Sequence, residues 1–414
     1  MKNILFIIFL LPNLIFAQGK GIQFVEGLNW QQVKAKAKIE NKFIMIDCYT
    51  SWCGPCKVMD ASVFPNDTIG QIANEKFVAL KVQFDEDENA GKLKKEWFQL
   101  SKKFEKQFNV TGYPCILFFN PDGEIVHKII GLRRVPGFKK TLETVTDPSF
   151  QYYSTLEKYN KDPDNSELLY QLIQVSKDAD ELRKEYIQNY LAKTGGINSE
   201  RNAQLLIDMT HSSKDQTFPS LTKDSLKINH FLGEGKAEEQ YRGIIYFEEF
   251  QNTLGRNSAM GYYINDPNPD WKNIQDSLVK KYPERIEEIM DYAKLNFYRI
   301  AHQWDKYLPT LTIYREKYKN SISDKMKLEY IGAIAVESKD VDQHYLKSLL
   351  DWGEDALKVS NNPMDQMNYS VLLYQTGKNG EALEVMKQNI DHVPDLKYSV
   401  YPEYLQKMQL GEKL

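Results

Sequence analysis

Cysteine is scarce in this sequence. The 414 residues hold four, Cys48, Cys53, Cys56 and Cys115, all in the N-terminal third. Four are too few to cross-link so long a chain, which excludes a disulfide scaffold and makes the sulfurs local to one place. Histidine is sparse as well: six are scattered without the spacing of a metal site, the nearest to the cysteines being His127. An excess of either charge is missing. Lys and Arg number 53 against 57 Asp and Glu, a net charge of −4, so nothing offers a basic face to nucleic acid or to an acidic membrane. Beyond the N-terminal segment, no stretch is apolar enough for the roughly 20-residue crossing of a bilayer.

What is present begins with MKNILFIIFLLPNLIFAQG. Lys2 supplies a positive start, Ile4 to Phe16 are apolar apart from Pro12 and Asn13, and Ala17 is a small residue suited to a cleavage site. The run is shorter than a spanning helix, so residues 1–17 are expected to be a secretory signal cut near Ala17–Gln18. No cysteine stands near its end to carry a lipid anchor. The expectation is an exported, soluble protein, periplasmic or secreted.

With 42% hydrophobic residues the chain can build two or three cores. From about Gly21 to Val145, helical and strand-like pieces alternate. Asn29 can cap a helix in WQQVKAKAKIEN, followed by the apolar strand FIMIDCY. A helix broken near Pro65, the strand FVALKVQFD and the long helix GKLKKEWFQLSKKFEKQF follow. In that helix Leu93, Trp97, Leu100, Phe104 and Phe108 keep helical spacing, and the acids of DEDENAGKLKK are expected at its positive end. CILFFN and EIVHKIIG are strands joined at Pro121-Asp122-Gly123, and PGFKKTLETV closes with a helix. Beyond Asp147-Pro148 the strand signal stops. Two stretches echo each other there, Ser166 to Ala192 and Met367 to Val393, each a pair of short amphipathic helices about a polar turn, similar to a tetratricopeptide-type unit. The expected division is residues 1–17 signal, 18–149 an α/β domain and 150–414 an all-α, repeat-like domain. Tyr246, Trp304 and Trp352 are expected to fill helix interfaces there.

The chemistry concentrates in SWCGPCK, Ser51 to Lys57. Cys53 and Cys56 could hold zinc, form an inert staple or shuttle electrons. Zinc needs two more ligands, and no second Cys-x-x-Cys exists. A staple of so short a loop removes little chain entropy. The pair sits where a strand ends and a helix begins, so helix amides and dipole favour a thiolate on Cys53, with Cys56 one turn inside and more buried. Pro55 suits an early helical position, where its missing N–H costs nothing.

IDCYTSWCGPCK closely resembles the active-site segment of the thioredoxin family, and the likeness runs from about Gly21 to Val145. Asp47 stands at the spacing of the family's buried aspartate, the proton acceptor for the inner cysteine. Lys81 falls where thioredoxins place a lysine beside that acid. Tyr113-Pro114 matches the loop whose proline is cis, and Gly131 the glycine of the last strand. The resemblance implies an α/β thioredoxin fold for the N-terminal domain. It implies thiol–disulfide exchange in which Cys53 attacks and Cys56 resolves, with Asp47 and Lys81 assisting. Trp52, Gly54, Pro55, Tyr113 and Pro114 would form the substrate platform. No cofactor and no metal are implied. The sequence departs from the family in its longer helix before Tyr113-Pro114 and in Cys48 and Cys115. Those two are read first as core residues, and second as a further disulfide or regulatory thiols.

The expected function is an exported thiol–disulfide oxidoreductase that reduces disulfides in proteins or peptides. The Gly-Pro between the cysteines is similar to that of reducing thioredoxins, and by family analogy a membrane-embedded electron donor recharges it. Isomerase or oxidase activity stays open. So does a helical protein-binding scaffold that uses the thioredoxin fold to dock.

Overall fold

The computed structural model describes residues 21–87, 91–177, 182–258, 261–337, 341–390 and 400–414. The expected signal, 1–17, lies outside them. The chain divides into two compact units, Met1–Thr194 and Gly195–Leu414.

The first unit opens with α1 (Trp30–Glu40). Asn29 caps it reciprocally: its side chain accepts from the Gln32 N–H, and its own N–H donates to the Gln32 side chain. Asn41, at φ 50°, ends it in the left-handed conformation that Asn tolerates. Next come β1 (Phe43–Tyr49), α2 (Gly54–Ser62), α3 (Asp67–Lys76) and β2 (Phe77–Gln83). Then follow α4 (Lys92–Gln107), β3 (Cys115–Phe119), β4 (Ile125–Ile130) and α5 (Val135–Thr144). The sheet order is β2-β1-β3-β4, with β1 parallel to β2 and antiparallel to β3.

A strand this central is covered on both faces, which is why FIMIDCY reads as an apolar run interrupted only by Asp47. Strand side chains alternate between faces. Ile44, Ile46 and Cys48 pack with Val33 and Ala37 of α1, with Phe104 of α4 and with Phe108 just beyond its end. Met45 packs with Met59 of α2, Ile69 of α3 and Phe138 of α5. Asp47 therefore shares the face of α2, and Cys48 the opposite one. Each large apolar side chain so buried contributes about 1.5–3 kcal/mol.

Two expectations shift. The first turn of α4 carries no acidic residue, because the helix starts only at Lys92. The compact first unit also runs past residue 149, through α6 (Tyr152–Lys161), α7 (Ser166–Val175) and α8 (Arg183–Thr194). The Tyr152 N–H donates to His127 Nδ1 on β4 at 3.2 Å, and the Gln151 side chain donates to the Val145 carbonyl at 2.9 Å. Those buried polar bonds tie α6 to the sheet domain.

The second unit is mainly helical, around a core that includes Tyr307, Tyr314, Leu349, Leu372 and Met386, with Trp304 and Trp352 half-buried against it. One antiparallel ribbon, β5 (Gly255–Ser258) with β6 (Gly261–Ile264), interrupts the helices. Both echoing stretches contain helix pairs: α7 with α8 in the first unit, and Pro363–Gln375 with Asn379–Ile390 in the second. Residues 178–181 and 391–393 of those stretches lie outside the described residues. Among the described residues, no helix is long and apolar enough to cross a membrane.

Candidate active site

Cys53 and Cys56 form a disulfide at the junction of β1 and α2. Cys53 is the residue before the first helical position, and its Sγ accepts from the Cys56 N–H at 3.0 Å. A donor fixed at a helix start, with the positive dipole end behind it, lowers the energy of negative charge on that sulfur. Pro55 sits in the first helical turn, where no intrahelical acceptor awaits its N–H. The expected ranking of burial is corrected: Cys53 is 2% exposed and Cys56 4%. In the disulfide each sulfur shields the other, so neither is left open.

Beneath the helix lies Asp47, 1% exposed, opposite Lys81 in the β1–β2 register. Lys81 Nζ is 3.6 Å from Asp47 Oδ2, while Asp47 Oδ1 has no hydrogen-bond partner among the described residues. Lys81 also hydrogen-bonds Asp60 of α2 and lies over the rings of Tyr49, Phe64 and Phe24. Burial pushes the Asp47 carboxyl up to about 7; the Lys81 charge works against this, and the Asp60 charge adds to it. An acid with that midpoint can hold or release a proton near neutrality.

The rim is aromatic. Trp52, 70% exposed, meets Tyr113 edge-on at 6.0 Å, and Tyr113 packs on Phe84. The Tyr113 hydroxyl donates to Glu105 Oε1 of α4 at 2.9 Å, so the lengthened helix braces the platform. The Tyr113–Pro114 peptide is cis, and the Pro114 carbonyl accepts from the Gly131 N–H at 2.8 Å. Gly54 and Pro55 are exposed beside the disulfide. The loop is held from below, where the Ser51 N–H donates to both oxygens of Asp85 at 3.0 and 3.1 Å.

Sequence reasoning missed Asp60, Asp85 and Glu105. Asp60 had a usable signal: it lies four residues after Cys56, on the same side of α2. Cys48 and Cys115 stand directly opposite each other on β1 and β3, both fully buried, on the far face of the sheet from Asp47. They are free thiols. Burial first, then the hydrogen bond with Cys115, pushes the Cys48 thiol up.

A sheet of this order with a Cys-x-x-Cys at a strand–helix junction and a cis-proline loop beside it defines a thioredoxin-type protein. The thioredoxin-like family matches residues 28–146, and the N-terminal domain of this chain belongs to it. The segment is 34% identical over 121 residues to the thiol:disulfide interchange protein DsbD of Yersinia pestis (strain Pestoides F), covering 29% of this chain and 18% of that one. It is 29% identical over 131 residues to the protein of the same name from Campylobacter jejuni (strain RM1221), covering 32% and 21%. The chain thus spans about a fifth of the length of these relatives. A putative disulphide-isomerase from Bacteroides thetaiotaomicron, solved in solution, is 30% identical, with 32% of this chain and 98% of that one covered and a TM-score of 0.26.

Proposed function

We propose that this chain is an exported thiol–disulfide oxidoreductase that reduces disulfides in polypeptide substrates through Cys53 and Cys56. The observation that carries the reading is the Cys53 sulfur accepting the Cys56 N–H in the first turn of α2, with a buried carboxyl that titrates near neutrality on the same face of the sheet.

The Cys53 thiolate attacks one sulfur of a partner disulfide. The partner's S–S bond breaks, its second sulfur leaves as a thiolate that takes up a proton, and Cys53 is joined to the partner. Asp47 then accepts the proton of the Cys56 thiol. The Cys56 thiolate attacks Cys53 Sγ, the Cys53–Cys56 bond forms, and the partner's first sulfur leaves. Two electrons have passed from the dithiol to the partner. Trp52 and Tyr113 offer an apolar seat beside the reacting sulfurs, and the backbone next to Pro114 pairs with an extended substrate segment. The regenerating reductant would be a membrane-embedded dithiol donor, and the helices beyond the thioredoxin-like domain would select clients.

The test is the reduction potential of the Cys53–Cys56 pair in the full mature chain, equilibrated against thiol buffers. A value near the roughly −270 mV of thioredoxin supports a reductase, whereas one near the roughly −120 mV of a strong oxidant reverses the direction. A pair that cannot be cycled in any buffer removes the enzymatic reading in favour of a docking scaffold.

A further inference from the structure

The Lys81 ammonium is shared. It stands between a buried carboxylate on β1 and an exposed one on α2, and it makes its hydrogen bond in the short contact to Asp60, remaining at 3.6 Å from Asp47. The Asp60 side chain is 43% exposed and that of Asp47 only 1%. The rings of Tyr49, Phe64 and Phe24 fix the ammonium in this position. A buried carboxylate with one oxygen lacking any hydrogen bond is an expensive arrangement, and a closer Lys81 would relieve it.

We propose that Asp60 is a positioning residue that holds Lys81 back from Asp47 and so tunes Asp47 as the acid–base partner of Cys56. This rests on the redox reading above and goes beyond it by naming what tunes the base. The charged and titratable groups around Asp47 are few. Lys81 faces it from β2, and α2 contributes Asp60 and, once the disulfide is reduced, the Cys56 thiol; Tyr49 and Cys48 are its neighbours on β1, and Asp85 stands further off beside Tyr49. Ile116 opposes it on β3 and carries no charge. Among these, Asp60 is the group whose removal both deletes a like charge and releases Lys81. Without it, the ammonium is free to bond Asp47, and the carboxyl should ionise at lower pH.

The experiment compares the wild-type chain with Asp60→Asn, Asp47→Asn and the double variant. Two readouts are followed from pH 4.5 to 8: the rate of insulin-disulfide reduction, and the denaturant midpoint of the oxidised protein. Asp60→Asn is expected to move the acid limb of the rate profile down by about one pH unit, which raises the rate several-fold, up to tenfold, below the wild-type midpoint. The pH window over which stability falls should contract by the same shift. The double variant should behave as Asp47→Asn in both. An acid limb or stability window that stays put, moves upward, or moves equally when Asp47 is already Asn overturns the proposal. If no variant, wild type included, reduces insulin, the stability profile still reads Asp47 and separates a failure of the redox reading from a failure of this one.

Discussion

Asp47 and Cys48 are adjacent on one strand and equally buried, yet they belong to opposite chemistries. On the Asp47 side, the sheet meets α2, whose N-terminal amides reach a sulfur, and a lysine and a second carboxylate lie within a few ångströms. On the Cys48 side, the sheet meets α1 and α4, and the two facing thiols are packed among Phe84, Phe104, Phe108 and Phe119. Four cysteines in one small domain are thus divided between two faces of one sheet, Cys48 and Cys115 on the face opposite α2, where Cys53 and Cys56 stand. On the proposed reading, the same functional group serves as a nucleophile where dipoles stabilise its anion and as core packing where burial raises its proton affinity.

The most severe way to test this contrast is to remove sulfur on each side. Cys53→Ser should abolish disulfide reduction, and Cys56→Ser should leave a trapped mixed disulfide with substrate, visible by mass spectrometry. Cys115→Ala should keep turnover within about twofold and cost on the order of 1 kcal/mol of stability. Comparable losses on both sides would erase the distinction.

Asp47 gives the next largest effect. Its folded-state midpoint of about 7 lies above the ordinary value of 3.8, so between those values the native state binds more protons than the unfolded one. Stability must then fall as pH rises through that window, by on the order of 4 kcal/mol in all. Denaturation midpoints should show the fall in the wild type and lack it in Asp47→Asn. Chain truncation is expected to be graded. Ending the chain after Thr194 should leave a cooperatively folding unit, whereas ending it after Phe150 removes the Tyr152 bond to His127 and should lower the melting temperature by several degrees. The smallest effect belongs to the brace on the rim. Glu105→Gln weakens a charge-assisted bond to Tyr113 and should cost about 1 kcal/mol, appearing in KM for a protein substrate more than in kcat.

Much of this was legible in advance where local rules apply. SWCGPCK declares itself by its spacing at a strand–helix junction, while Asp47 and Tyr113-Pro114 were placed by the resemblance to the thioredoxin family. Asp85 and Glu105 were invisible for the opposite reason, and Asp60 showed only its side of α2, one turn after Cys56, not its partner. Each is an ordinary charged residue whose partner is 21, 34 or 8 positions away, and nothing in local periodicity marks such pairs. The placement of α6 to α8 with the sheet domain is likewise a matter of long-range packing. A helix looks the same in sequence whichever core it joins. The β5–β6 ribbon is only four residues a side, too short to show an alternation.

The exposure of Trp52 has a practical consequence. The chain has six tryptophans, and this is the only exposed one; the other five are half-buried. It adjoins Cys53 in the chain, and disulfides quench indole emission at short range. The protein should therefore carry its own optical gauge: light from this solvent-facing indole is expected to brighten as the adjacent bond opens, which would report the state of the sulfurs in real time without dye or label.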